Sequence, residues 1–167
     1  LGALADEITD SVSISYADID GFPQSTVQGH GGKLIIGQLK DKEILCMQGR
    51  FHLYEGHKPQ VINTVIKAFQ LLGIKNLIVT NAAGSLNPEF APGSLMLIKD
   101  HINFSGTNPL IGPNDDRYGP RFPGMADAYT AEWRHKIKEL AAERNIPLNE
   151  GVYLWALGPC FETAAEI

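Results

Sequence analysis

The sequence has few cysteines, no long apolar run and no excess of basic residues. Its 167 residues include two cysteines, Cys46 and Cys160, too few for a disulfide framework or a cysteine zinc site. Their apolar neighbours predict small buried thiols. No apolar run approaches the roughly 20 residues that a transmembrane helix requires. A net charge of -5 argues against a nucleic-acid surface, because binding a phosphate backbone requires clustered Lys and Arg. Neither a membrane nor a nucleic acid is therefore an expected partner.

The composition is that of an ordered protein, with 44% hydrophobic and 20% charged residues. No secretory signal opens the sequence, so we expect a cytoplasmic location. Both ends, LGAL at residues 1–4 and TAAEI at residues 163–167, resemble the interior of a domain. We therefore expect residues 1–167 to be the central part of a single α/β domain, truncated at both termini.

Apolar patterns predict six strands. The first, around residues 12–16, alternates with serines, which indicates one buried face. Runs at residues 33–39 and 43–47 flank a short polar connection and predict a hairpin. Continuous apolar runs predict buried strands of the parallel type at residues 76–80, 95–98 and 152–157.

Two further segments have helical spacing. Pro59 suits the first turn of one helix and Gly73 suits its C-terminal end, while Thr130 suits the N-cap of the other. Strands that alternate with helices predict an α/β fold with a mixed central sheet flanked by helices. Residues 103–124 break the pattern, because they are rich in Gly, Pro, Asn and Asp. Apolar anchors such as Phe122 favour an ordered functional loop there.

A cluster of polar residues follows the second strand of the predicted hairpin and reads QGRFHLYEG over residues 48–56. If the segment stays extended, Arg50, His52 and Tyr54 share one face, because side chains two apart do so in a strand. A permanent cation, an imidazole and a phenol together suit an anion beside a hydroxylated ligand. The alternative is a polar strand exit in which Arg50 pairs with Glu55.

Two glycine-containing motifs are candidates for binding an anion. GHGG over residues 29–32 surrounds His30 with glycines, which let a ligand approach the backbone. TNAAGS over residues 80–85 follows a predicted buried strand, at the sheet edge where ligands of α/β proteins collect. Its small residues let backbone N–H groups reach an oxyanion. The alternatives are a flexible turn with a surface histidine and a tight turn, respectively.

A last motif, GPCFET over residues 158–163, also follows a predicted strand. Thr163 and Glu166 have capping-box spacing, so a helix is expected to begin there. Glu162 precedes this helix. Its carboxylate can accept two N–H bonds while Phe161 packs on a flat heterocycle. The alternative is a glutamate favoured only by the helix N-terminus. HExxH, CxxC, GxSxG and P-loop patterns are absent.

Taken together, these motifs resemble the purine nucleoside phosphorylases of the trimeric class. Each motif is weak alone, but the ordered set is specific and extends over essentially the whole chain. It comprises GHGG (29–32), QGRFHLYEG (48–56), TNAAGSLNP (80–88), GPNDDRYGPRF (112–122) and GPCFET (158–163). The resemblance implies a nucleoside phosphorylase-like α/β fold.

The resemblance also implies a reaction of purine salvage, in which a purine nucleoside and phosphate give free base and ribose 1-phosphate. His30 and Arg50 would bind phosphate, with help from the backbone of Ala82. Phosphate is a co-substrate, and no metal or cofactor is implied. The expected partners are therefore these small molecules, and the expected assembly is a homotrimer.

Sugar and base sites are implied by the same resemblance. His52 would hydrogen-bond the ribose 5′-hydroxyl, Tyr54 would pack against the sugar, and Phe122 would reach the ribose site of a neighbouring subunit. Glu162 would hold the N1–H side of a 6-oxopurine, with Phe161 near the base. His52 and Glu162 are the implied catalytic residues. The other residues implied at the base are Ala82, Ala83 and Gly84.

Parts of the family pattern are absent from the chain. It lacks the serine of the family's Gly-Ser-Gly phosphate loop, the Met-Ser segment under the sugar and the asparagine that meets purine N7. We therefore expect this chain alone to be inactive. Two alternatives remain. A methylthioadenosine phosphorylase-like enzyme is disfavoured by Glu162, because that group typically has serine there. The other is a non-catalytic purine- or phosphate-binding module.

Overall fold

The chain forms two units, Leu1–Thr80 and Asn81–Ile167, each with a sheet and an α-helix of its own. The structure, a computed structural model, describes residues 2–24 and 31–167. The predicted α/β class is confirmed, and the single-domain organisation stays a prediction. Neither α-helix within the described residues has the length and apolar character needed to cross a bilayer.

An antiparallel sheet of three strands forms the first unit: β1 (Thr9–Ser15), β2 (Lys33–Leu39) and β3 (Lys42–Gln48), in that order. The predicted hairpin is confirmed, since β2 pairs with β3 from Lys33 opposite Gln48 to Leu39 opposite Lys42. The buried core of the sheet consists of Ala5, Ile8 and Ile35, with Ile44 and Cys46 packed against it.

The pairing of β1 with β2 requires a glycine at position 37. The register shifts between Thr9 and Val12, and the two strands come very close there. A Cβ atom on Gly37 would lie 2.6 Å from the carbonyl oxygen of Thr9 and 2.7 Å from Cγ2 of Ile8. Because these atoms belong to backbone and core, any larger residue would push β1 away from β2.

Helix α1 (Gln60–Leu71) lies where the periodicity predicts a helix, with Pro59 at its N-cap and Val65 and Phe69 buried. Gly73 ends it in a left-handed conformation, with φ 80°. The N–H of Ile74 donates to the carbonyl of Phe69 at 3.1 Å, and that of Gly73 to Gln70 at 3.0 Å. These two bonds form a Schellman motif, which confirms the predicted glycine stop.

The strand predicted over residues 76–80 is wrong. No strand is assigned there, and Leu77, Ile78 and Val79 are 57%, 76% and 65% exposed. An apolar run indicates that a segment is suited to burial, but a strand also needs a neighbour that accepts and donates its hydrogen bonds. No strand of the described residues takes that place.

The second unit contains a parallel pair of strands, β4 (Leu95–Asn103) and β5 (Leu148–Trp155), and helix α2 (Ala131–Glu143). Both strands, their parallel pairing and the helix are confirmed, although the side chain of Thr130 makes no capping bond at its N-cap position. The predicted burial of the two strands is wrong, because none of their residues is buried and Leu95 and Val152 are 57% and 48% exposed. Glu150 connects β5 to α2, because its carboxylate forms ion pairs with Arg134 and Lys138 of the helix.

The prediction of two buried thiols is wrong. Cys160 is exposed and Cys46 is only half-buried. Cys160 lies in an irregular surface connection after β5, where its apolar neighbour Phe161 is also exposed, to 96%. Apolar neighbours in sequence therefore did not imply an apolar environment.

Candidate functional site

Arg50 lies just beyond the end of β3, after Gly49, whose φ of 111° few other residues adopt. Its guanidinium Nη2 donates a hydrogen bond to the carbonyl oxygen of Thr80 at 2.8 Å. This contact orients the side chain within the first unit without neutralising its charge, because a carbonyl is not an anion. A guanidinium has five N–H donors, so Arg50 can bind an anion while keeping Thr80.

His52 and Tyr54 come together through a turn rather than a strand. Leu53–Glu55 is a 3-10 helix that Gly56 ends with φ 94°, so the predicted extended geometry is wrong from Leu53 onward. The rings of His52 and Tyr54 nevertheless stack, with centroids 4.6 Å apart and planes 12° from parallel. An imidazole and a phenol therefore lie side by side, as the sequence predicts, by a different backbone route.

The turn exists because Glu55 reaches back to His52. Its Oε1 accepts the backbone N–H of His52 at 2.6 Å and lies 2.9 Å from the ring Nδ1. The Glu55 side chain is 3% exposed and that of His52 is 27% exposed. An ionised carboxylate only accepts hydrogen bonds, so Nδ1 carries a proton. In the neutral ring Nε2 is then an acceptor, and in the cation it is a donor.

The GHGG motif is described only in part. His30 lies outside the described residues. Gly32 has φ 59°, and its carbonyl accepts the backbone N–H of Tyr16 at 2.8 Å. The hydroxyl of Tyr16 also donates to the carbonyl of Gly49, at 3.1 Å. The alternation of residues 12–16 predicts a strand through Tyr16 and gives no sign of these two contacts, because the partners lie 16 and 33 residues away.

In the second unit, residues 82–84 form an exposed irregular segment. Ala82, Ala83 and Gly84 precede a turn in which Ser85 Oγ donates to the carbonyl of Asn87 at 2.9 Å. The turn that was the alternative for this motif is therefore present, immediately after the small residues. A backbone contact from Ala82 to phosphate stays a prediction.

Glu162 and Phe161 line a shallow surface pocket of the second unit, together with Phe104, Leu157 and Cys160. Both residues are exposed, and the carboxylate of Glu162 has no hydrogen-bond or ion-pair partner within residues 2–24 and 31–167. The predicted cap is present in part, since the backbone N–H of Thr163 donates to Glu166 Oε2 at 2.7 Å. The helix predicted to begin there is not assigned, because residues 164–166 form only a turn.

Polar contacts, rather than apolar anchors, order the long loop after β4. Arg121 Nη1 donates to the carbonyls of Leu110 and Gly112, both at 3.0 Å. The guanidinium carbon of Arg121 lies 5.8 Å from the ring centroid of Phe122. Phe122 itself is 87% exposed, so it does not anchor the loop to its own unit.

Among the residues that the structure describes, no group of three or more His, Cys, Asp and Glu side chains is close enough to hold a metal ion. The candidate side chains that the structure describes are the cation of Arg50, the stacked rings of His52 and Tyr54, the exposed carboxylate of Glu162, and the exposed rings of Phe122 and Phe161.

Comparisons with known proteins match the whole chain. The family model of the phosphorylase superfamily covers residues 1–167. The chain is 49% identical over 167 residues to purine nucleoside phosphorylase 1 of Bacillus subtilis (strain 168), covering 100% of this chain and 62% of that protein. It is 49% identical over 173 residues to purine nucleoside phosphorylase of Rattus norvegicus, covering 99% of this chain and 59% of that protein.

Solved structures give the same result. Schistosoma mansoni purine nucleoside phosphorylase in complex with adenosine superposes with a TM-score of 0.93 at 42% identity, covering 99% of this chain and 60% of that one. The same protein in complex with inosine superposes with a TM-score of 0.91 at 42% identity, covering 98% and 59%. The chain thus spans about 60% of the length of these relatives. The resemblance that the motifs indicated is confirmed.

Proposed function

The chain belongs to the phosphorylase superfamily, and on that premise we propose that the whole protein catalyses reversible phosphorolysis of 6-oxopurine nucleosides. The observation that carries this proposal is the 49% identity of the entire chain to a bacterial purine nucleoside phosphorylase. The proposed products are free purine base and ribose 1-phosphate, with inorganic phosphate as the co-substrate and no further cofactor.

The chemistry fits the residues that the chain contains. Departure of a purine leaves positive charge on the sugar, as in other glycosyl transfer. Phosphate is already an anion, so it needs positioning rather than a strong base. We assign that task to Arg50 and, from the resemblance, to His30 and the backbone of Ala82. Glu162 would accept N1–H of the base and so hold a 6-oxopurine in position for departure.

The stacked pair of His52 and Tyr54 would meet the sugar. We propose that the ring of His52 contacts the 5′-hydroxyl while Tyr54 packs against the ribose. Glu55 supports this assignment, because its carboxylate holds the ring of His52 at Nδ1 and so fixes the direction of the opposite ring nitrogen, Nε2. Residues 82–84 and Phe161 would border the base, and Phe122 would close the ribose site of an adjacent subunit.

We also propose that the protein is a cytoplasmic homotrimer of purine salvage. The two cysteines form no disulfide, which suits a reducing compartment. The exposed Phe122 suits contact with a second subunit.

The direct test supplies the full-length protein with inosine, with and without inorganic phosphate, and measures hypoxanthine and ribose 1-phosphate. We expect both products only when phosphate is present. Release of adenine from methylthioadenosine in preference would indicate the sister enzyme. Saturable binding of nucleoside or phosphate without turnover would indicate a binding module, and either result would contradict the proposal.

A further inference from the structure

Tyr16 is the most deeply buried large side chain of the described residues, with 1% of its surface exposed. It follows β1 directly and begins a short 3-10 helix, Tyr16–Asp18. The neighbouring residues Ser15 and Ala17 do not explain a buried phenol at this position. The proposed reaction assigns it no role. An apolar residue of similar size would fill the same space without the need to satisfy a buried hydroxyl.

Two hydrogen bonds connect Tyr16 to two different glycine motifs. Its backbone N–H donates to the carbonyl of Gly32 at 2.8 Å, at the last residue of GHGG. Its hydroxyl donates to the carbonyl of Gly49 at 3.1 Å, immediately before Arg50. One buried residue thus holds the backbone at Gly32 and at Gly49, the residue that precedes Arg50.

Both of these glycines need such support. Gly32 has φ 59° and Gly49 has φ 111°. Fixing a glycine in one conformation costs more backbone entropy than fixing any other residue, because glycine is the most flexible residue in the unfolded chain. The backbone conformation of such a residue determines the position of the side chain that follows it. Because Arg50 follows Gly49 directly, a bond to the Gly49 carbonyl limits rotation of the peptide that leads to the guanidinium.

Aromatic packing keeps the Tyr16 ring in position. Its centroid lies 4.8 Å from that of Phe22, and Phe22 meets the edge of Phe51 at 6.3 Å. Phe51 stands between Arg50 and His52 in the sequence, so the same stack supports the segment from its apolar side. Burial, and to a lesser extent the thiolate of Cys46, raises the pKa of Tyr16 to about 12. Its hydroxyl is therefore protonated, and able to donate, throughout the neutral pH range.

We propose that Tyr16 is a positioning residue for phosphate, acting through Gly49 on Arg50. It does not touch the substrate. The inference rests on the proposed function in that phosphate is taken as the ligand of Arg50. It goes beyond that function because it makes phosphate affinity depend on Tyr16, a buried residue that does not contact phosphate.

The test is Tyr16→Phe in the full-length protein, which removes the hydroxyl and keeps the ring. Titration calorimetry with inorganic phosphate gives a dissociation constant without turnover, and steady-state kinetics give the two KM values. We expect the dissociation constant and the KM for phosphate to rise roughly 3- to 10-fold, the effect of one lost hydrogen bond, with the nucleoside KM nearly unchanged. Tyr129→Phe is the matched control, because the Tyr129 hydroxyl lies 3.2 Å from His101 Nδ1 in the second unit. It should leave phosphate binding unaltered.

A folded Tyr16→Phe protein with unchanged phosphate affinity would overturn the proposal, and so would an equal rise in both KM values. If Tyr16→Phe does not fold, Phe22→Leu decides, because it loosens the Tyr16 ring but keeps the hydroxyl. A smaller rise in the phosphate dissociation constant is then expected, and no rise overturns the inference. A wild-type protein that binds phosphate without phosphorolysis would contradict the proposed function alone, since the comparison of phosphate affinities still applies.

Discussion

Glu55 holds His52 through a single carboxylate oxygen, which accepts the backbone N–H at 2.6 Å and contacts the ring Nδ1 at 2.9 Å. One buried side chain therefore sets both the turn of the backbone and the tautomer of the imidazole. The direction of the His52 ring depends on this contact, because Nε2 is held at the opposite side of the ring from the carboxylate.

We predict that Glu55→Ala lowers kcat/KM for nucleoside phosphorolysis by about ten-fold or more, from the loss of roughly 1.5–3 kcal/mol of hydrogen bonding to a charged group. Glu55→Gln should recover part of the activity, since an amide oxygen still accepts a hydrogen bond. Glu139→Ala is the control, because Glu139 also pairs with a histidine, His135, but on an exposed helix face at 3.2 Å. Similar losses in the Glu55→Ala and Glu139→Ala proteins would contradict the assignment.

Arg50→Ala tests the assignment of Arg50 as the cation that binds phosphate. We expect the KM for phosphate to rise far more than the KM for nucleoside, with a loss of roughly 1.5–3 kcal/mol for one charge-assisted contact. Arg117→Ala serves as the control, since that arginine pairs locally with Asp115 at 2.7 Å and its side chain is 80% exposed. Initial rates over a grid of both substrates give the two constants. An unchanged phosphate KM would show that Arg50 has another role.

Local signals were sufficient to predict the elements whose causes are local. Helix α1 was predicted with its limits, because Pro59 and Gly73 act within one turn of the helix ends. The hairpin of β2 and β3 was predicted because its two strands are separated only by a short polar connection. In each case the residues that decide the structure lie within a few positions of it.

Contacts between distant residues could not be predicted in the same way. The extended geometry expected for residues 50–54 fails because the Glu55 carboxylate competes for the backbone N–H of His52. Tyr16 is separated from Gly49 by 33 residues, and nothing in the alternation of β1 indicates its hydroxyl partner. The candidate residues were thus predicted by type, whereas the contacts that orient them required the structure.

The acid stability of the second unit should depend on Glu150. Hydrogen bonds from Lys138 and then Arg134 hold the pKa of Glu150 below its ordinary value of 4.5. A carboxyl group whose pKa is lower in the folded state stabilises the fold above its unfolded pKa, and that contribution is lost as the pH falls through the folded value. We therefore predict that Glu150→Gln flattens the decrease of the unfolding free energy below pH about 4.5. Urea titrations at a series of acidic pH values measure this, and parallel curves for both proteins would contradict it.

Glu162 should determine the choice of base. Inosine and guanosine present N1–H to an accepting carboxylate, whereas adenosine presents a lone pair, so two acceptors would face each other at a cost of about 1–3 kcal/mol. We predict a kcat/KM for inosine well above that for adenosine, and a smaller ratio in Glu162→Gln, whose amide can also donate. Glu166→Gln is the control, because Glu166 instead accepts the Thr163 N–H at 2.7 Å. Equal values for the two nucleosides in the wild-type protein would exclude the role given to Glu162.

Phe122 provides the test of assembly. It is 87% exposed, yet Arg121 holds it in place by hydrogen bonds to Leu110 and Gly112 and by contact with its ring. An ordered aromatic side chain without a core to enter is suited to a partner, since interface cores are enriched in aromatic residues. If each subunit donates this loop to the next, the contact is heterologous and must close into a ring. We predict a homotrimer, measured by light scattering coupled to size exclusion.

We also predict that Phe122→Ala raises the nucleoside KM and leaves the phosphate KM nearly unchanged. The rise corresponds to a loss of about 2 kcal/mol of binding free energy if the ring is a principal interface contact. Ile111→Ala is the control within the same loop, because Ile111 is 62% exposed and is assigned no contact with the sugar. The two readouts separate assembly from substrate contact. A trimer with a normal nucleoside KM in Phe122→Ala would place the ring outside the shared site, and a fully active monomer would exclude the shared site altogether.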